Sequence, residues 1–527
     1  MTISRDLDTN IQIMETLFKD ADDMVWKRFE LERNGTNLGI YILYIDGMSD
    51  GEMVERTITR PLLYEWRNAG LTAGFSSRNA GKNGGGNQKS QSKAAMSNEA
   101  FDFIFHYQTE SVDMSKADQM EDVLAAILNG DSAVFVDGQD QAAILSSKKL
   151  PGRSIDSPKK EGGLKGPGDS FNENFRTNTA LLRRKIKDPK LKEKQGYIGQ
   201  RSRTVYGLMY LDDLVEPDLL SAVEERLDSF AIDSIFDSGM LVHLLEEKWY
   251  SPFPQVQTTE RPDKAASAIS EGRVVLVVDN SPEVIILPCT LNSFFQASDD
   301  YYNRFGVATF ARLIRYLAAF ITILLPGLYI AVACFYPQIL PTEFLLAIVG
   351  ARNNVTFPIV AEVLLMEFLF ELLREAGIRL PGQMGNTIGV VGGLIVGQAA
   401  VEAALVSTIV VIVVALTAIA SFAIPNEEFS STFRLLKFLM IILGAVWGLY
   451  GIMLGVLVLL IHLASMESFG IPYLMPAVAG SADDGVEYQD FVIRKPIFTM
   501  RERPIYTQMG QRRRFRQKQN EGNVINK

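Results

Sequence analysis

The pattern of apolar and polar positions changes character near residue 310. Before that point, short apolar runs alternate with polar turns; from Leu313 to Ala464 the chain is overwhelmingly apolar. The N-terminal region predicts strands and amphipathic helices, the apolar region a set of membrane-length helices.

Within the N-terminal region, a pair of strand-like runs resemble each other, GIYILYIDGMSDGEMVERTITRPL from Gly39 and VYGLMYLDDLVEPDLLSAVEERL from Val205. Each ends in an acidic turn, Asp46-Gly47 or Asp212-Asp213, and runs on into a helical pattern. A second pair follows the first, EDVLAAILNGDSAVFVDGQDQAAIL from Glu121 and DKAASAISEGRVVLVVDNSPEVIIL from Asp263. Both read as helix, glycine turn (Gly130, Gly272), strand, hairpin turn (Asp137-Gly138, Asp279-Asn280) and strand. The interval from Asp46 to Asp137 is longer than that from Asp212 to Asp279 by about the length of Gly74 to Ser97. That Gly/Ser/Asn/Lys-rich stretch reads as a disordered insertion. The fold class expected is therefore an α/β soluble region of two related subdomains, 1–165 and 166–305, followed by an all-α polytopic transmembrane bundle, 306–480, and a basic tail, 481–527.

Leu313–Tyr336 is long enough to span a core of about 30 Å, with Pro326-Gly327 in its middle. A short apolar piece from Phe344 to Val349 stops at Arg352. Phe357–Leu373 is apolar but carries Glu362, Glu367 and Glu371; carboxylates at membrane depth are expensive, so they are expected to face water or a partner. Glu367 and Glu371 share one helix face, and Glu371 is expected at the interface beside Arg374. The stretch Asn386–Ile424 holds one charge, Glu402. As one straight helix it would reach roughly 58 Å, too long for a bilayer, so it must break, re-enter or project. Gly389, Gly393 and Gly397 fall on one face of its first half and could bring helices close together. The last span is expected near Phe438–His462. Four full spans, with a further partial element allowed, put both termini on the cytoplasmic side by the positive-inside bias; Arg434 and Lys437 are the exception.

Composition narrows the function classes. Asp and Glu number 62 against 52 Lys and Arg, a net charge of −10, which does not suit a nucleic-acid binder. The N-terminus lacks the basic start and short apolar run of a secretory signal, so the N-terminal half is expected to stay in the cytoplasm. His106, His243 and His462 show no metal-ligand spacing, and Cys289 and Cys334 are poor disulfide partners. GGLKGPG has no phosphate-loop ending. Arg183, Arg184, Lys185 and Lys187 suit a solvated helix face or an inter-subunit salt-bridge surface better than a phosphate site, and the acidic turns suit turn formation. No nucleophile–base pair, metal set or cofactor motif is present, so no enzyme, metal or cofactor is expected. The cluster Arg512, Arg513, Arg514 and Arg516 is either a headgroup-binding patch or a solvated tail.

Several ordered segments carry a family resemblance: FNENFRTNTALLRRKIKD, SPFPQVQTTERPDKAASAISEGRVVLVVDNSPEVIILP, SDDYYNR, EVLLMEFLFELLREAGIRLP, TIGVVGGLIVGQAAVEAALVS, SFAIPNEEFSSTFRLLKF and GIPYLMPA. Together they resemble the A-subunit family of bacterial spore germinant receptors, from about Phe171 to Ala477. The departure is NVTFP, with Thr356 where the family usually has proline. The resemblance implies a subunit in the spore's inner membrane, partnered by a transporter-like B subunit that senses the nutrient and a lipid-anchored C subunit. It also implies a homo-oligomer around an ion-releasing pore. On that reading Glu362, Glu367 and Glu402 are the pore candidates, with Gly389, Gly393 and Gly397 as a packing face or movable joint. The rival readings are a non-conducting scaffold and an accessory paralogue acting with the dipicolinate-release machinery.

Overall fold

The computed structural model describes residues 1–33, 36–66, 88–106, 113–149, 158, 161–163, 165–379, 393, 395–477, 490–504 and 507–514. The N-terminal region holds two five-stranded antiparallel sheets of identical connectivity. The first is built from β1 (Met24–Arg33), β2 (Thr36–Ile45), β3 (Met114–Ala117), β4 (Ser132–Val136) and β5 (Ala142–Leu145), in the order β1-β2-β4-β5-β3. The second comprises β6 (Leu191–Ile198), β7 (Thr204–Leu211), β8 (Gln257–Thr259), β9 (Val274–Val278) and β10 (Val284–Leu287), in the order β6-β7-β9-β10-β8. The strand–helix repeat expected from the sequence is thus a repeat in space.

The two sheets share their turn chemistry. Gly130 and Gly272 lie at φ +91° and +86°, and Gly138 and Asn280 turn the matching hairpins at φ +89° and +62°. Positive φ is cheap for glycine and tolerable for asparagine, which is why these turns were readable from sequence.

Both faces of each sheet are covered, so the central strands are buried throughout. On the first sheet, α1 (Leu7–Leu17) and α4 (Met120–Leu128) pack one face. The other face takes α2, which opens at Gly51–Val54 and runs on through Pro61–Trp66, and α3 (Gln88–His106). Helix α3 claims the last ten residues of the expected insertion: Met96 is buried there and Ser97 donates from Oγ to the Asp137 carbonyl at 2.6 Å. Residues 74–87 of that stretch lie outside the described residues. On the second sheet, α5 (Phe175–Lys185) and α8 (Pro262–Ser270) cover one face, α6 (Pro217–Asp228) and α7 (Ser238–Leu245) the other.

Short helices α9 (Leu291–Phe295) and α10 (Asp299–Tyr302) lead into α11 (Phe305–Phe335), which starts earlier than the expected span. Then come α12 (Thr342–Ala351), α13 (Ile359–Arg379), α14 (residues 395–402), α15 (Thr408–Phe422) and α16 (Glu427–Ala464). Among the described residues, two helices, α11 and α16, are long and apolar enough to cross a membrane by length and composition. The 39-residue apolar stretch does break, at Ala404 (φ +53°), and Ser407 caps α15.

Helix α16 is not straight, and the expectation of a single last span at Phe438–His462 is corrected. Gly448 has φ +61° and ψ −141°, outside any helix. Phe253 lies 6.2 Å, ring centre to ring centre, from both Phe429 and His462. In a straight helix those two residues would stand roughly 50 Å apart. The chain therefore folds back at Gly448 into two arms, Glu427–Trp447 and Leu449–Ala464, of roughly 31 and 24 Å.

Residues 490–504 and 507–514 are also not a free tail. Asp490 Oδ1 accepts from Arg312 Nη1 at 2.5 Å and its Oδ2 from Tyr301 at 2.5 Å. Thr507 is fully buried, donating to the Glu271 carbonyl at 2.6 Å and forming a β-bridge with Val215. In the first subdomain the corresponding place is filled by Lys148, which bridges Ser49. The second subdomain borrows that piece of backbone from the far end of the chain.

Candidate functional site

Several charged residues of the apolar region converge on α13. Its first turn carries Glu362, which is fully buried. Glu362 Oε1 accepts from Arg352 at 3.0 Å, and Oε2 accepts from the Ser407 N–H at 2.9 Å, beside the N-terminus of α15. A carboxylate there meets an unpaired amide and the positive end of the helix dipole. Glu362 thus ties α12, α13 and α15 together within one chain, meeting a partner, one of the two settings the sequence left open.

One to three turns further along, α13 meets the first arm of α16. Lys437 Nζ donates to Glu367 Oε2 at 2.6 Å, with side chains 2% and 1% exposed. Glu371 lies 3.9 Å from Lys437 and 3.7 Å from Arg434. Arg374 pairs with Glu427 at 3.6 Å and stacks over Phe422. The expected Glu371–Arg374 pair is therefore replaced by two cross-helix pairs. The positive-inside exception at Arg434 and Lys437 resolves in the same way: both pair with carboxylates of α13, Lys437 with the buried Glu367 and Arg434 with the partly exposed Glu371, and are not loop charges. They stand three residues apart on one helix face, opposite glutamates four apart on another, and that spacing was the signal available in the sequence.

This belt is not fully satisfied. Glu367 Oε1, Glu371 Oε2, Arg374 Nη1 and Arg434 Nη1 are buried without a hydrogen-bond partner. Each such atom in an apolar setting costs about 1–3 kcal/mol. A cluster of that kind either takes up water or changes partners.

The other predicted residues are less involved. Glu402 is exposed on α14 and accepts from Gln398 at 2.9 Å. Gly389 lies outside the described residues. Among the described residues, a Cβ at Gly393 would meet nothing within 4 Å, and one at Gly397 only Val411 at 3.8 Å. The close approach of helices is made by other glycines: a Cβ on Gly327 would sit 2.7 Å from the Met440 carbonyl oxygen, and one on Gly444 2.6 Å from that of Gly327. Among the described residues, the contact between α11 and α16 draws its small residues from those helices, not from Gly393 or Gly397.

Of the basic cluster, Arg516 lies outside the described residues. Arg513 bridges Glu502, and the Arg514 N–H donates to the Arg501 carbonyl at 2.7 Å, so Arg512–Arg514 form the second limb of a small backbone turn. In α5, Arg183 is buried, and Arg184 and Lys185 both pair with Asp169. Among the described residues no cluster of His, Cys, Asp and Glu could hold a metal.

Comparison with known proteins assigns the family. Residues 12–506 match the model of the Bacillus/Clostridium GerA spore germination protein. The chain belongs to the GerA family. Among relatives, spore germination protein A1 of Bacillus subtilis is 42% identical over 74% of this chain and 80% of its own length. Spore germination protein B1 of the same organism is 35% identical over 96% of this chain and 98% of its own. An uncharacterized membrane protein, YfkQ, again from B. subtilis, is 35% identical over 95% of this chain and 91% of its own. The N-terminal domain of the A subunit of the Bacillus megaterium spore germinant receptor GerK3 aligns with a TM-score of 0.38 at 23% identity, over 54% of this chain and 96% of that one. The resemblance read from the sequence is therefore membership of this GerA family.

Proposed function

We propose that this chain is an integral-membrane A-type subunit of a spore germinant receptor, assembling with copies of itself into a ligand-gated, ion-conducting pore. The observation that supports this is the belt of Glu367, Glu371, Arg374, Arg434 and Lys437, with buried polar atoms lacking partners, inside an otherwise apolar helical region. Charges at that depth are retained at a cost of about 2.5–3.5 kcal/mol each, which favours a role in moving ions or in switching. In this reading Glu367 and Lys437 hold the resting state as a pair, and separating them frees a carboxylate for cations. Glu402, exposed on α14, and the face of Gly389, Gly393 and Gly397 serve the contact between copies. The chain works in the spore inner membrane, multi-pass with both termini cytoplasmic. Its partners are a transporter-like B subunit and a lipoprotein C subunit, and Arg512–Arg514 and Arg516 meet anionic headgroups.

The test is monovalent cation release from spores carrying Glu367→Gln or Lys437→Gln, with the amount of assembled receptor measured alongside. Altered release at normal assembly is expected. Normal release from both variants would sink the role of the pair.

The pairing of Glu362 within a single chain favours one rival, a non-conducting scaffold or accessory paralogue of the dipicolinate-release machinery. A purified receptor that conducts nothing in bilayers with germinant present would decide for it.

A further inference from the structure

Between α7 and β8 the second subdomain sends out a loop, Glu247 to Phe253, that reaches the end of the second arm of α16. It is held firmly. Lys248 Nζ donates to the Ser465 carbonyl, Ser251 Oγ bonds His462 Nε2 at 2.9 Å, and Thr432 donates to the Pro252 carbonyl. Phe253, 2% exposed, packs against Phe429, Phe433 and His462.

The two residues at the tip do the opposite. Trp249 is 84% exposed and Tyr250 62%, their rings meeting edge-on at 6.1 Å, with Tyr250 6.2 Å from His462. The loop's fixed base means the exposure is held in place. The adjoining turns of α16 present Leu457, Val458, Leu460 and Ile461, all more than half exposed. The aromatic pair is thus continuous with a helix surface that, in a membrane, faces lipid or a neighbouring helix.

A second aromatic group marks the other end of that arm. Trp447 and Tyr450 are 53% and 67% exposed on either side of the Gly448 fold, which backs onto Phe335 and Tyr336. The arms between the two groups measure roughly 24 and 31 Å, against a hydrocarbon core of about 30 Å. Tryptophan and tyrosine collect at both faces of a bilayer because the ring body prefers the acyl boundary while the N–H or O–H stays among headgroups.

We infer that Trp249 and Tyr250 are a lipid anchor through which the second subdomain rests on the phospholipid bilayer, completing an aromatic belt whose other half is Trp447 and Tyr450. This rests on the membrane reading given above. It makes the subdomain an interfacial element, so that its movement against α16 is referred to the membrane plane.

The test uses the full chain in nanodiscs of phosphatidylcholine and phosphatidylglycerol, with the phosphatidylcholine brominated on its acyl chains near the headgroup. Tryptophan emission is compared between wild type, Trp249→Phe and Trp447→Phe. Loss of emission is expected in the wild type, and a smaller loss in each variant. A loss that depends on Trp447 but not on Trp249 overturns the anchor and leaves the membrane reading standing. A loss that depends on neither overturns both. If Trp249 is shielded from brominated lipid and from aqueous iodide alike, a second copy covers it, and the anchor is again overturned.

Discussion

Arg183 holds Asp23 by two parallel hydrogen bonds, 2.5 and 2.6 Å, with each side chain 1% exposed. Asp23 opens β1 of the first subdomain and Arg183 lies on α5 of the second, so this pair is the electrostatic bolt between the two. Around it, Ala21 bridges Glu193 and Arg176 pairs with Asp46. A basic helix that reads as a solvated face or an inter-subunit salt-bridge surface is in fact the joint between two subdomains of one chain.

Breaking one half of a buried pair leaves the other charge stranded, which costs about 3–5 kcal/mol. Arg183→Met is therefore expected to lower the urea midpoint of the purified chain steeply. Adding Asp23→Asn to that variant recovers much of the loss.

The same joint carries a pH dependence. Burial, and then the negative charge of Asp23, push the Glu193 carboxyl up to about 8, although Arg183, Arg176 and Gln195 oppose the shift. Because the folded state holds this proton more tightly than the unfolded one, its contribution falls as pH rises from about 4.5 towards about 8. Glu193→Gln should flatten the stability–pH curve over that range and be the more stable protein above pH 8. Parallel thermal melts of both proteins across this window check it.

Glu362 accepts from both Arg352 and the Ser407 amide. Glu362→Gln keeps an acceptor for the amide and loses the ion pair; Glu362→Ala loses both. Alanine should reduce the melting temperature in detergent more than glutamine does, with the amide bond alone worth about 1–3 kcal/mol.

Gly444 lets the backbones of α11 and α16 touch. Gly444→Ala places a Cβ against the Gly327 carbonyl, and overpacking of this sort costs about 1–3 kcal/mol. Reduced accumulation in the membrane fraction is expected, whereas Gly393→Ala, with no described atom within 4 Å of the added methyl, should accumulate normally.

Thr507 fixes the C-terminal segment to the second subdomain. Thr507→Lys puts a long cation into a fully buried position, and the segment should come away. Trypsin would then cut at Arg501 and Arg512–Arg514 faster than in the wild type, which mass spectrometry of timed digests would record.

The repeat was legible because its marks are local. Asp137-Gly138 and Asp279-Asn280 specify hairpins from their own backbone preferences, and Gly130 and Gly272 end helices by theirs. The break in the long apolar stretch followed from length alone. The partners of the buried charges were not legible in that way: Glu367 and Lys437 lie 70 residues apart. A lysine in an apolar run looks like an orientation signal until the opposing helix is in place.

Taken alone, then, the amino-acid order determined the twofold sheet plan, the change from mixed to apolar chain near residue 310, and the family. Those properties come from short-range periodicity and turn preference. Tertiary structure alone decided that Arg183 is a bolt, that Glu362 is a cap, that Gly448 folds one long helix into two arms, and that Thr507 completes a distant sheet. Each of these depends on which surfaces meet, and burial energy summed over whole faces selects that meeting, which no single stretch of residues can specify.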